Sequence, residues 1–161
     1  MPIAPSAVDA LLKLSRGDMR RSLNVLQACF ASSTPIDANG RPDPSLPREE
    51  ITETAIYDCI AAPHPEDIQQ IMRTLLSSDI TTSLRTINEI KTRKGLALVD
   101  ILSSLSEELC RLDVPKQTRV MWMEGLAEIE WRVGSGGGEG VQTGGLAGVV
   151  RQGVKVMGNG K

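Results

Sequence analysis

Aromatic side chains are nearly missing from this sequence of 161 residues, which holds two tryptophans, one tyrosine and one phenylalanine. Leucine, isoleucine, valine and alanine must therefore supply the core. A core of small and branched aliphatic side chains suits packing of helix on helix better than a sheet sandwich. We therefore predict an all-α fold.

Histidine and cysteine are also scarce. The single histidine, His64, lies between two prolines, and Cys29, Cys59 and Cys110 are far apart in the chain. This spacing matches no zinc-ligand pattern, and it places no cysteine near a histidine that could act as its base. We therefore predict no metal site and no nucleophilic catalysis. We interpret His64 as a turn residue and the cysteines as small buried side chains in a reducing compartment.

The sequence has no excess charge of either sign and no long apolar run. Its 18 basic residues nearly balance its 20 acidic ones, so no overall field attracts nucleic acid. No apolar run approaches the roughly 20 residues that a membrane helix needs, and no signal-peptide pattern is present. We expect a soluble intracellular chain with no membrane partner.

The phosphate-binding pattern G-x-x-x-x-G-K-[S/T] is absent as well. Glycines are frequent from Gly134 to Gly140, but this stretch lacks the lysine and the hydroxyl that would hold a phosphate and Mg²⁺. The Gly158–Lys161 segment has no helix after it. We also find no strand-terminal acidic pair that could hold a metal ion.

Apolar residues recur at helical spacing along most of the chain, and they predict eight helices and no strand. A break at Pro63-His64-Pro65 separates three helices in residues 1–62 from five in residues 63–161. The predicted helices begin near Ser6, Asp18, Glu49, Pro65, Asp79, Leu96, Pro115 and Leu146.

Two segments are predicted to lie outside the helices. The Thr34–Pro47 segment is rich in proline and contains Asn39-Gly40, which is typical of an exposed loop. The Gly134–Gly145 segment is rich in glycine and predicts a flexible connection between the last two helices.

The second predicted helix carries an unusual arrangement of charge at its start. Asp18 is a candidate N-cap, and Met19, Leu23, Leu26 and Phe30 are predicted to form its core face. Arg20 and Arg21 lie in the first turn, where the helix dipole disfavours cations by roughly 0.3–1 kcal/mol each. Two alternatives follow: the arginines are solvated, with Asp18 neutralising one of them, or they bind an anion. On spacing alone the solvated alternative is the better supported.

The same stretch carries a resemblance to a known family. The run from Ala10 to Arg21, continuing through Asn24-Val25-Leu26-Gln27, resembles the lid of the small subunits of replication factor C, an AAA+ clamp loader. In that family the first arginine after Gly-Asp-x is the sensor-2 arginine, which contacts the γ-phosphate of ATP held by the preceding domain. The matching residue here is Arg20.

The second half of the chain carries a similar resemblance. Lys94–Leu102 resembles the collar helix of one particular small subunit of that family. Leu126–Arg132 resembles its Ala-Asp/Glu-Ile-Glu-Tyr-Arg segment, with Trp131 in place of the usual tyrosine. The resemblance extends to about Val133, and the glycine-rich insert that follows departs from the family.

The resemblance implies a three-helix AAA+ lid at residues 1–62 and a five-helix collar bundle at residues 63–161. A complete subunit of this kind acts in the nucleus, in an ATP-driven complex that loads a sliding clamp onto primed DNA for replication and repair. Residues 63–161 would bind the other replication factor C subunits. The clamp and DNA would be bound by the assembled complex, and ATP with Mg²⁺ would be bound only by the complete subunit.

The nucleotide-binding core of such a subunit, with its phosphate loop, Walker B acids and Ser-Arg-Cys arginine finger, has no counterpart in these residues. We therefore predict that this chain alone is not an enzyme. The alternative is a non-catalytic helical scaffold that binds protein partners and never meets nucleotide.

A dense basic cluster, Lys91, Arg93 and Lys94, lies at a predicted helix C-terminus. Cations are favourable there without a partner, so we prefer a structural role over contact with a DNA backbone.

Overall fold

A computed structural model describes residues 2–35, 37, 39, 41, 43, 46–77 and 79–158. In these residues we number eight helices: α1 (Pro5–Ser15), α2 (Met19–Ser32), α3 (Glu53–Ile60), α4 (Pro65–Ser77), α5 (Ile80–Lys94), α6 (Leu98–Arg111), α7 (Lys116–Gly134) and α8 (Glu139–Gly158). Extended pairing across the described ranges is limited to an isolated parallel bridge between Ile3 and Ile51. The predicted all-α fold is confirmed.

The chain divides between Ala62 and Pro63 into two compact units. The first, which we call the three-helix unit, holds α1–α3, and the second, the five-helix unit, holds α4–α8. Each unit has its own hydrophobic core. No helix among the described residues is both long and apolar enough to cross a membrane.

The three helices of the first unit all pack against one another. Helix α1 begins with Pro5, which suits a first helical position because the missing N–H has no partner there. It ends where Arg16 and Gly17 both adopt positive φ, at 50° and 84°. This turn brings α2 back along α1. The core residues are Ala7, Ala10, Leu11, Cys29, Ile51, Ile56 and Tyr57.

The predicted core face of α2 is wrong in part. Met19, Leu23 and Phe30 are exposed, and only Leu26 of the predicted set packs against the core. The buried residues of α2 are Ser22 and Cys29. Small side chains line the inner face because α2 lies against both α1 and α3 there, so the larger apolar residues remain outside.

Helix α3 begins later than predicted, at Glu53 instead of Glu49. Ile51 pairs with the N-terminal segment, since its N–H donates to the Pro2 carbonyl and its carbonyl accepts from the Ala4 N–H, both at 3.0 Å. This long-range pairing keeps the backbone extended. Thr52 then caps the helix by accepting from the Ala55 N–H.

Trp122 occupies the centre of the five-helix unit. Its side chain is fully buried, and its Nε1–H donates to the Val150 carbonyl of α8 at 3.0 Å. Helix α8 packs against α4, α5 and α7, while α6 packs against α4 and α7. Asp79 and Gly95 cap the two ends of α5. Buried aliphatic residues from all five helices complete the core.

The predicted flexible connection at Gly134–Gly145 is wrong over its second half, because α8 begins at Glu139 and not near Leu146. The Glu139 carboxylate explains this early start: it pairs with Lys91 of α5 and accepts from the Leu98 N–H, at the start of α6, at 3.2 Å. These contacts fix the first turn of α8 despite the glycines that follow it.

Two further predictions concern the cysteines and the Thr34–Pro47 loop. Cys29 is buried as expected, but Cys59 and Cys110 are exposed. Within the predicted Thr34–Pro47 loop, residues 36, 38, 40, 42, 44 and 45 lie outside the described residues, as does the end of the chain at 159–161. Arg48, which follows this loop, stacks over the Phe30 ring and donates to the Phe30 carbonyl.

Candidate functional site

The start of α2 is organised by Asp18. Its Oδ1 accepts from the Arg20 N–H at 2.9 Å and from the Arg21 N–H at 3.2 Å. Its backbone carbonyl accepts from the Ser22 N–H and hydroxyl. The predicted N-cap is confirmed, and a carboxylate at this position also offsets the positive end of the helix dipole.

This cap changes the kind of anion site that α2 can offer. Two of the backbone N–H groups that a helix terminus could present to a phosphate are already bonded to Asp18. The guanidinium groups are therefore the main donors that this turn leaves for an anion.

Arg20 and Arg21 are both exposed in the first turn of α2. Arg20 begins a polar stripe that continues through Asn24 and Gln27, which are exposed as well. One residue of an α-helix turns by about 100°, so Arg21 lies off this stripe. The side chains of Arg20 and Arg21 therefore leave the helix in different directions.

Large apolar side chains accompany the polar stripe. Met19 and Leu23 are 64% and 54% exposed, and they are four residues apart on one face of α2. Leu12 of α1 is exposed too. Groups of exposed large apolar residues mark interaction surfaces more often than isolated ones do, so the guanidinium of Arg20 belongs to a surface suited to packing.

The basic cluster at the end of α5 has partners inside the five-helix unit. Lys91 pairs with Glu139, and Arg93 donates to Asp67 of α4 at 3.1 Å. Asp67 is buried, so this pair ties α5 to α4. The structural role that we preferred for these residues is supported by both pairs.

The sequence predicts that His64 is a turn residue. His64 lies between α3 and α4, where its carbonyl accepts from the Ile68 N–H at 3.1 Å. Across the described ranges, no group of three or more His, Cys, Asp or Glu side chains could hold a metal ion. The thiols of Cys29 and Cys59 lie close together between α2 and α3, although the two residues are far apart in sequence.

Comparisons with known proteins identify the family of this chain. The family described as "Replication factor C C-terminal domain" matches residues 63–149. Replication factor C subunit 3 of Blastobotrys adeninivorans is 42% identical over 96% of this chain and 42% of that protein. This chain belongs to the replication factor C family.

Other relatives agree with that assignment. Replication factor C subunit 3 of Saccharomyces cerevisiae is 35% identical over 94% of this chain and 42% of its own length. Replication factor C subunit 5 of Homo sapiens is 36% identical over 87% of this chain and 37% of its own length. The family resemblance is confirmed, and the chain spans about two fifths of the length of the curated relatives it matches.

Proposed function

We propose that this chain supplies the ATP-sensing lid and the assembly collar of a subunit in an ATP-dependent loader of sliding DNA clamps. The three-helix unit would be the lid, and the five-helix unit the collar that binds the other replication factor C subunits. Family membership supports the proposal, since the relatives are themselves named as subunits. The complex would act in the nucleus, in DNA replication and repair.

The observation that carries the sensing role is the position of Arg20. It follows a capped helix start, is exposed, and has its backbone N–H occupied by Asp18. Its guanidinium is therefore the group with which this turn would meet a γ-phosphate. The exposed Met19 and Leu23 provide apolar area beside it that could pack against a nucleotide-binding domain.

ATP and Mg²⁺ would be held by the nucleotide-binding domain of the complete subunit, and this chain alone would not hydrolyse ATP. The sliding clamp and primed DNA would be bound by the assembled complex. A γ-phosphate contact from Arg20 would draw the lid toward the nucleotide and would be lost after hydrolysis. The arginine could then report which nucleotide is bound.

The alternative of a helical scaffold that never meets nucleotide is not favoured. The family match extends through most of the five-helix unit, and the relatives cover nearly the whole chain. A scaffold unrelated to clamp loading would not account for that extent of similarity.

The test is made in a complete subunit that carries this segment, reconstituted with its partner subunits. A charge-assisted hydrogen bond contributes roughly 1.5–3 kcal/mol. We therefore expect Arg20→Ala to weaken ATP-dependent clamp loading by about ten- to a hundred-fold, with little change in the melting temperature. The measurement is clamp loading across an ATP titration.

Arg21→Ala is the matched control, because it removes the same charge from the neighbouring position. It should have a much smaller effect, and Arg20→Lys should restore activity only in part because lysine lacks the planar fork. Equal losses from both alanine variants, or a loss that follows a lower melting temperature, would show that the arginines are structural.

A further inference from the structure

Two thiols meet at the interface between α2 and α3. The Cys29 thiol donates to the Ala55 carbonyl of α3, with 3.7 Å between sulfur and oxygen. The Cys59 thiol donates to the Val25 carbonyl of α2 at 3.9 Å. Each sulfur therefore reaches across the interface to the opposite helix.

These two bonds are reciprocal. Val25 precedes Cys29 by four residues, and Ala55 precedes Cys59 by four. In an α-helix the carbonyl of one residue accepts from the N–H four residues later. The Cys29 thiol thus contacts the carbonyl that accepts from the Cys59 N–H, and the Cys59 thiol contacts the carbonyl that accepts from the Cys29 N–H. Both sulfurs therefore lie at the same level of the interface between α2 and α3.

The two cysteines differ in access to solvent. Cys29 is 3% exposed, whereas Cys59 is an exposed residue. Burial and a hydrogen bond with the Cys59 thiol raise the pKa of Cys29 to about 11. Because the thiolate is the reactive form, Cys29 reacts poorly with an oxidant directly. Cys59 is the sulfur that an oxidant meets first.

We propose that Cys29 and Cys59 form a reversible dithiol–disulfide site that links α2 to α3 inside the three-helix unit. The oxidant is hydrogen peroxide. It transfers an oxygen atom to the Cys59 sulfur, so that its O–O bond breaks, a sulfenic acid forms and water leaves. The Cys29 sulfur then attacks the Cys59 sulfur: the S–S bond forms, the S–O bond breaks, and hydroxide leaves with the Cys29 proton as a second water.

In balance, two thiols lose two hydrogen atoms and one peroxide is reduced to two waters. A dithiol reductant reverses the link by thiol–disulfide exchange. The two carbonyls that accept from the thiols keep their helical N–H partners after oxidation, so the link leaves no backbone acceptor without a donor. This site is separate from Arg20 and goes beyond the proposed function.

The third cysteine provides an internal control. Cys110 is exposed, and its thiol contacts the Met123 sulfur at 3.3 Å instead of a second thiol. Cys110 therefore has access to peroxide, and the sulfur beside it is a thioether, which cannot act as a resolving thiol. The full chain carrying Cys110→Ser is the test protein, and the same chain carrying Cys110→Ser with Cys59→Ser is the matched control, because serine is tolerated at an exposed position.

The experiment treats each protein with a small excess of hydrogen peroxide, followed by thiol counting and mass spectrometry of the intact chain and its peptides. The test protein should lose both thiols together, lose two hydrogen atoms in mass and yield a linked peptide containing Cys29 and Cys59. Dithiothreitol should restore both thiols. In the control, Cys29 should remain a free thiol.

Several outcomes would overturn the proposal. One is a sulfinic or sulfonic acid at Cys59 with Cys29 still reduced, which would show that Cys29 does not reach the oxidised sulfur. A dimer joined through Cys59 would contradict it as well. So would an absence of any reaction in the test protein under conditions that oxidise Cys110 in the unmodified chain.

Discussion

Gly153 on α8 gives a sharp test of the packing in the five-helix unit. A Cβ at this position would lie 2.8 Å from two ring carbons of Trp122, and closer still to its Nε1. Ordinary contacts between such atoms are about 3.5–4.0 Å. Gly153→Ala therefore forces the buried indole to move by roughly 1 Å or more, away from the Val150 carbonyl that its N–H contacts.

The expected cost follows from three effects. Overpacking a core costs about 1–3 kcal/mol, and leaving the indole N–H without its acceptor costs about 1–3 kcal/mol. Alanine has a higher helix propensity than glycine, and this difference stabilises the helix by about 0.8–1 kcal/mol. We expect a net loss of about 1–5 kcal/mol in the free energy of unfolding, which lowers the melting temperature by at least about 4 °C in a unit of this size.

Urea unfolding followed by tryptophan fluorescence measures this loss. Both tryptophans lie in the five-helix unit, and Trp131 is 68% exposed, so Trp131→Phe leaves Trp122 as the single probe. Gly148→Ala is the matched control on the same helix, because its Cβ meets no atom within 4 Å. The control should be slightly stabilised. If Gly153→Ala unfolds at or above the urea midpoint of the parent chain, the close approach of α8 to Trp122 is wrong.

Two further predictions concern Glu139, which joins the start of α8 to α5 and α6. Glu139→Gln should lower the free energy of unfolding by about 1 kcal/mol, because Lys91 is only 14% exposed and loses its counter-charge. This value is discounted for the 41% exposure of the Glu139 side chain. Glu130→Gln, at an exposed position, is the control, and equal melting temperatures of the two variants would contradict the role of the pair. The Lys91 ammonium and then the Leu98 N–H lower the pKa of Glu139 below its ordinary 4.5, so the advantage of the parent chain over Glu139→Gln should be complete at neutral pH and disappear as pH falls below about 4.5. Urea midpoints from pH 7 to pH 3 measure this, and an advantage that grows on acidification would refute it.

The sequence was sufficient for the helical architecture and for several helix ends. The Asp18 N-cap that the sequence predicts is confirmed. The helix predicted to begin near Asp79 does begin there, with Asp79 as its N-cap and Gly95 as its C-cap. These signals are local, since a cap acts through backbone groups within one turn. The chain divides into two compact units between Ala62 and Pro63, at the predicted break.

The errors arose where distant residues decide the outcome. Gly140, Gly144 and Gly145 argue against a helix by propensity, yet Glu139 is held by Lys91 and Leu98 and α8 forms. Propensity is a weak prior that tertiary contacts override. Local sequence carries no signal for a salt bridge between separate helices.

The inner face of α2 was missed for a related reason. Periodicity favoured Met19, Leu23 and Phe30, since large apolar residues are the usual core formers. The face that contacts α1 and α3 instead carries Ser22 and Cys29, whose small side chains allow close packing. Exposed large residues on such a helix suit a surface that meets another domain, which agrees with the proposed role of Arg20.

Assembly is the most direct test of the claim that this chain forms part of a clamp-loader subunit. The whole chain would be co-expressed with each of the other replication factor C small subunits and analysed by affinity purification and size-exclusion chromatography. We predict that it co-purifies with at least one of them in a defined complex. A chain that stays alone with every subunit tested, while circular dichroism shows it to be helical and folded, would contradict the account.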